Sequence, residues 1–318
     1  MLESDYRSDP IVMSTQQSAL VQKSVSRWLP AVLAAFGFAS SNAAPVSEPA
    51  IGVVPLPPFA VCQGRGGEVF LSEPKLMAVV GMDPRTGATR VVCAGGLLGV
   101  PAGLALDPRG AIIVANGQAL VLLDPRTGAQ RLLASGGLLK SPLGVTVTPD
   151  GTIYVADALG GVIRLEPGTA AQTPVASNRY FNRPHAIAVS GASIYVADVA
   201  SPTASVGKGR IIHVDSATGR LRVLTEGQYL AGPTALAVEG SGALVVGDPN
   251  APISVPGGLP EGSVVRVDPL SGAQNLLGPG FLAVGEYSTH AGILHQQLWA
   301  AYTTGMKATS QSRSGTAK

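Results

Sequence analysis

Charge is scarce in this sequence. Only 13% of its 318 residues are Asp, Glu, Lys or Arg. A disordered chain has the reverse balance, and here 46% of residues are apolar, so most of the chain is expected to bury a core. The 22 basic and 20 acidic residues leave a net charge of +2, too weak to imply a nucleic-acid partner. Cysteine is nearly absent, with two residues, Cys62 and Cys93. No His-Glu-x-x-His spacing, no Gly-x-Ser-x-Gly elbow and no phosphate-binding glycine loop occurs, which removes the motif-marked metalloproteases, serine hydrolases and nucleotide binders. The longest apolar run near the N-terminus, Trp28 to Ala39, falls short of the roughly 20 residues that cross a bilayer.

That run has a different reading. Lys23 and Arg27 precede it, and small residues, Ser40 to Ala44, follow it. This is the tripartite pattern of a secretory signal peptide, with cleavage expected after Ala43 or Ala44 and a periplasmic or secreted product. Met13 is a plausible start, and residues 1–44 are set apart as signal and upstream extension. Removing them takes away three acidic residues (Glu3, Asp5, Asp9) and three basic ones (Arg7, Lys23, Arg27), so the net charge stays at +2. No membrane span is expected after cleavage. Residues 45–302 are read as one domain, and the polar stretch 303–318 as a disordered tail.

Within that domain the chain repeats itself. Asp83-Pro84-Arg85-Thr86-Gly87 returns 41 residues later as Asp124-Pro125-Arg126-Thr127-Gly128, with weaker copies at Glu166-Pro167-Gly168, at Asp215 to Gly219 and at Asp268 to Gly272. A second motif opens each unit: Pro101-Ala102-Gly103, Pro142-Leu143-Gly144, Pro184-His185-Ala186 and Pro233-Thr234-Ala235. A third lies between, an apolar run ending in a polar residue, such as Ile113-Val114-Ala115-Asn116 and Tyr154-Val155-Ala156-Asp157. Tight turns join the runs. In Asp107-Pro108-Arg109-Gly110 the proline presets φ and the glycine takes the left-handed position. Each unit therefore reads as four short antiparallel strands, a to d, and the expected architecture is an all-β propeller. About six blades are expected. The first is degenerate, around Val69 to Leu71. The last is incomplete, built from Phe281 to Val284 and Leu298 to Tyr302, with Ile51 to Leu56 as a closing outer strand.

These motifs resemble those of NHL-repeat and SMP-30/gluconolactonase-like propellers over roughly residues 60–280. The resemblance implies a channel cation held by a Glu, two Asn and an Asp, one Asn lying in a Pro-Asn-Gly motif. The matching slots here hold Ala102, Leu143, His185 and Thr234, so that Asn is missing. Only the strand-b Asp carries over, as Asp198 or Asp157. A streptogramin-inactivating lyase is also a propeller, but no motif here points to one.

Strand direction alternates through a blade, so the start of a, the end of b and the b–c loop share one face of the disc. That face is expected to carry Glu73, Asn116, Asp157, Asp198, Asp248 and His185, together with two long b–c insertions, 199–209 and 249–262. It is the expected ligand-binding face, for a small molecule or a protein. Two roles stay open for its carboxylates. Each can cap the turn that follows it, or several together can hold Ca²⁺ or another divalent cation, with Asp157 and Asp198 as the metal ligands. No cofactor is certain. His185 is a candidate base or ligand, whereas His213, on strand c, is expected to be an ordinary inter-blade residue. Cys62 on an inner strand and Cys93 on an outer one are expected to stay too far apart to be joined.

Overall fold

The computed structural model describes residues 59–83, 89–199, 209–250 and 263–279. They form five four-stranded antiparallel sheets in strict chain order. Blade 1 is β1 (Ala60–Gln63), β2 (Val69–Glu73), β3 (Ala78–Met82) and β4 (Thr89–Ala94). Blade 2 is β5 (Pro101–Leu106), β6 (Ile112–Asn116), β7 (Ala119–Leu123) and β8 (Gln130–Ser135). Blade 3 is β9 (Pro142–Val147), β10 (Ile153–Asp157), β11 (Gly161–Leu165) and β12 (Gln172–Ser177). Blade 4 is β13 (Pro184–Ser190), β14 (Ser193–Asp198), β15 (Arg210–Asp215) and β16 (Leu221–Glu226). Blade 5 is β17 (Ala235–Val238), β18 (Leu244–Asp248), β19 (Ser263–Val267) and β20 (Gln274–Pro279).

The β-propeller expectation holds, and among the described residues there are five blades, not six. The five blades exhaust the copies of the Asp-x-x-Thr-Gly turn and of the strand-b motif. The stretches assigned to a sixth, Phe281 to Val284, Leu298 to Tyr302 and Ile51 to Leu56, carry neither motif and lie outside the described residues. So do residues 1–44 and 303–318.

The second strands are buried along almost their whole length, and in the middle blades, which stack between two others, both of their faces meet a neighbour. In β6, Ile112 and Val114 pack with Leu104, Val121 and Leu123 against Phe70, Val79 and Val92 of blade 1. The alternate residues Ile113 and Ala115 pack with Leu120 against Val145, Val155 and Ile163 of blade 3. A two-residue period thus sends one continuous apolar run into two separate cores. The inner strands approach so closely that a Cβ on Gly103 would meet the Leu143 carbonyl at 2.5 Å, and one on Gly144 the His185 carbonyl at 2.7 Å. That crowding explains the glycine of the Pro-x-Gly motif. Its proline is itself the first strand residue, opposite Asn116, Asp157 or Asp198, where a missing N–H costs no ladder bond.

The Asp-x-x-Thr-Gly turns cap themselves. Asp124 accepts the N–H groups of Arg126 (2.8 Å) and Thr127 (3.3 Å), and Gly128 closes the loop at φ +74°. In blade 3 the closing position is Ala170, at φ +54°, with the same backbone bond back to Glu166. A left-handed alanine costs roughly 1–2 kcal/mol, partly offset by the entropy a glycine would lose. Ala170→Gly should therefore raise stability by roughly 0.5–1 kcal/mol in urea titration, and a lower midpoint would contradict this account of the turn.

Cys62 and Cys93 lie on β1 and β4, the innermost and outermost strands of blade 1, and are not joined. Burial pushes the Cys93 thiol up to about 11. Among the described residues no helix is long and apolar enough to cross a membrane.

Candidate functional site

Four of the strand-b ends do the same job. Asn116 Oδ1 accepts the N–H groups of Gly99 and Val100, both at 2.9 Å, and its Nδ2 donates to the Leu97 carbonyl. Asp157 accepts Lys140 N at 2.7 Å and Ser141 N at 2.9 Å, and also Leu159 and Gly160 of its own turn. Asp198 accepts Asn182 N at 3.0 Å and Arg183 N at 2.7 Å, and takes the Arg210 guanidinium. Asp248 accepts Ala231 N at 2.6 Å, Gly232 N at 2.8 Å and Asn250 N at 2.9 Å. In each case the donors are the last two residues before the strand-a proline. The side chain therefore ties the connection arriving from the previous blade to the middle of the next one. The three Asp residues are fully buried, and their oxygens are saturated by N–H donors that a cation would have to displace.

Glu73 holds the same position in blade 1 but has no such bonds. Among the described residues nothing donates to its carboxylate, and burial alone pushes it up to about 7. The repeat register shows where its donors would lie. Phe59 N bonds the Ser72 carbonyl just as Thr234 N bonds that of Gly247, so Phe59 is the counterpart of Thr234. The two donor positions then fall on Leu56 and Pro57, outside the described residues, and of the two the proline has no N–H to give.

The same register makes Phe59, Ala102, Leu143, His185 and Thr234 one ring of inner-strand positions. Phe59 stacks on His185 across it, with ring centroids 5.0 Å apart and planes at 23°. His185 Nδ1 lies 3.0 Å from the Thr234 carbonyl, which can only accept, so Nδ1 carries the proton. Burial is the main reason its pKa falls to about 4, so the ring is neutral at physiological pH. A cavity of about 30 Å³ lies among these inner strands, room for a water or two.

The predicted site residues therefore share one face of the disc, each at the strand end or inner-strand start of its own blade. Among the described residues no three His, Cys, Asp or Glu side chains come together in a way that could hold a metal ion. Most of both b–c insertions, 200–208 and 251–262, lies outside the described residues. His213 Nε2 meets Ser193 Oγ at 2.9 Å and its ring tilts against Tyr195, both on the neighbouring strand β14, so these contacts lie within blade 4 and not between blades.

Sequence reasoning missed a second tie. Gln130 Oε1 accepts Leu97 N at 2.7 Å while its Nε2 donates to the Gly95 carbonyl, and Gln172 and Gln274 repeat the first contact with Leu138 N and Tyr229 N. The signal was present, a glutamine two residues after the turn's closing position in blades 2, 3 and 5. It also missed Phe59, because no repeat motif marks blade 1's inner strand.

No family model matches the chain, and no curated protein does. Solved structures do. A propeller in the structure described as a nidogen/laminin complex aligns at TM-score 0.55 with 16% identity, over 71% of this chain and 80% of that one. A gluconolactonase from Xanthomonas campestris aligns at 0.55 with 16% identity, over 73% and 80%. Hydrazine synthase from Kuenenia stuttgartiensis aligns at 0.53 with 18% identity, over 74% and 70%. Likeness at this identity is likeness of fold: the chain is a β-propeller.

Proposed function

We propose that this chain is an exported binding propeller that takes a small molecule or a protein on the disc face formed by the strand-b ends and b–c loops, and that it is not a metal-dependent lactonase. The observation that carries this is the use already made of its polar groups. Asn116, Asp157, Asp198 and Asp248 each hold two backbone N–H groups of the incoming connection, and the Phe59–His185 stack occupies the inner ring. A hydrolase needs those oxygens free and the channel open. Glu73 is the acid on this face without a structural partner among the described residues, and so the one able to meet a ligand. Export rests on the N-terminal pattern of basic, apolar and small residues. That the nidogen/laminin structure is an assembly and the Xanthomonas protein a gluconolactonase shows that this fold serves both kinds of task.

Elemental analysis of purified protein, with glucono-δ-lactone turnover measured with and without added Ca²⁺, separates the readings. Binding alone predicts no stoichiometric divalent ion, no turnover and an unchanged melting temperature in EDTA. A bound ion with turnover that Glu73→Gln abolishes would overturn the proposal.

A further inference from the structure

The opposite face of the disc, made by the a–b turns and c–d loops, carries an open cavity. It is a groove of about 790 Å³ between blades 1 and 2. Four arginines line it: Arg65 from the a–b turn of blade 1, Arg109 from that of blade 2, and Arg126 and Arg131 from the c–d loop and outer strand of blade 2. All four are exposed, and none makes a side-chain hydrogen bond or ion pair among the described residues. Arg65 reaches across to the a–b turn of blade 2, its stem 3.7 Å from where a Cβ on Gly110, the neighbour of Arg109, would be.

The acids of the groove are already engaged. Glu68 takes Arg90 through two bonds, at 2.9 and 3.0 Å, and Arg90 also donates to the Pro125 carbonyl. Asp107 accepts Arg109 N and Ala111 N, both at 2.8 Å, and Asp124 caps its own turn. Four guanidinium groups and three carboxylates line the groove, an excess of +1, and the three carboxylates are the ones already engaged. Elsewhere the pattern differs: Arg164, Arg210 and Arg266 each pair with a carboxylate, Glu166, Asp198 and Glu239. The groove walls also have an apolar part, with Phe70, Leu106 and Leu122 among the lining residues.

We propose that this groove binds a small organic polyanion, an apolar body carrying two or more carboxylate, phosphate or sulfate groups. Guanidinium forks match the geometry of such oxyanions, the apolar wall matches the body, and the volume suits a molecule of that size. The site lies on the face opposite the proposed binding face and stands independently of it.

Pyrene-1,3,6,8-tetrasulfonate, a fluorescent aromatic tetra-anion, is the probe. Fluorescence titration of the full mature chain should show saturable one-to-one binding. Raising salt from about 0.05 to 0.5 M should weaken it at least tenfold, as exposed charges are screened. Arg109→Gln with Arg126→Gln should weaken it at least tenfold with an unchanged far-UV circular dichroism spectrum. Arg222→Gln, an exposed arginine of blade 4, should leave it unchanged. No saturable binding, or equal binding when all four arginines are replaced by Gln, would overturn the proposal.

Discussion

Asp198→Ala should lower the stability of the domain by about 3–5 kcal/mol, the cost of leaving a partner charge and buried donors without an acceptor. The Asp198 carboxylate is fully buried, and it alone accepts Asn182 N and Arg183 N while pairing with the Arg210 guanidinium. The repeat provides an internal comparison. In blade 2 an asparagine does the same work, with Asn116 holding Gly99 N and Val100 N, and no arginine starts the neighbouring strand there. Blade 3 likewise begins its third strand with Gly161. Asp157→Asn should therefore cost only about 1 kcal/mol, while Asp198→Ala falls in the larger range. Urea midpoints of the two variants decide this. Equal losses would mean that the Arg210 pair adds nothing to the backbone tie.

The second large effect concerns pH. Glu73 is raised from 4.5 to about 7 and His185 lowered from 6.5 to about 4, both mainly by burial. Each shift is worth about 3 kcal/mol, at about 1.4 kcal/mol per unit. Folded Glu73 holds its proton more tightly than unfolded Glu73. Its contribution is complete below about 4.5 and is lost as pH rises through about 7. Folded His185 holds its proton less tightly than the unfolded side chain. Its contribution is complete above about 6.5 and is lost as pH falls toward about 4. The two slopes oppose each other between pH 4.5 and 6.5 and largely cancel in the unmodified protein. Glu73→Gln should unmask the histidine, so that stability relative to the parent climbs by about 3 kcal/mol from pH 4.5 to 7. His185→Phe should leave the opposite trend. Parallel curves for parent and Glu73→Gln would show that Glu73 titrates as an ordinary surface acid.

These two residues also mark where sequence reading stopped. Strands, turns and blade order were legible because their causes are local. Proline presets a turn's φ, a glycine takes its left-handed corner, and a two-residue period separates the faces of a strand. The same local logic expected one blade more than the described residues form, and the two apolar stretches it relied on beyond residue 279 lack the turn motif shared by the five blades. The recurring strand-b carboxylates were legible as a set, and their alternatives, cap or metal ligand, were both physically sound. Their partners lie 15–17 residues back on the connection from the previous blade, and only packing brings that connection beside them.

The amino-acid sequence by itself determined a repeating all-β propeller, its strand boundaries to within a few residues, two unjoined cysteines, and the residues that share one face of the disc. Tertiary structure alone decided which of those residues are spent. It placed Phe59 against His185, buried Glu73 with no N–H donor among the described residues, and lined one groove with four arginines from two blades. Backbone preferences and alternation act over a few residues and are written in the chain. Burial, charge and hydrogen-bond satisfaction depend on neighbours that are distant in sequence, and these exist only once the blades have stacked.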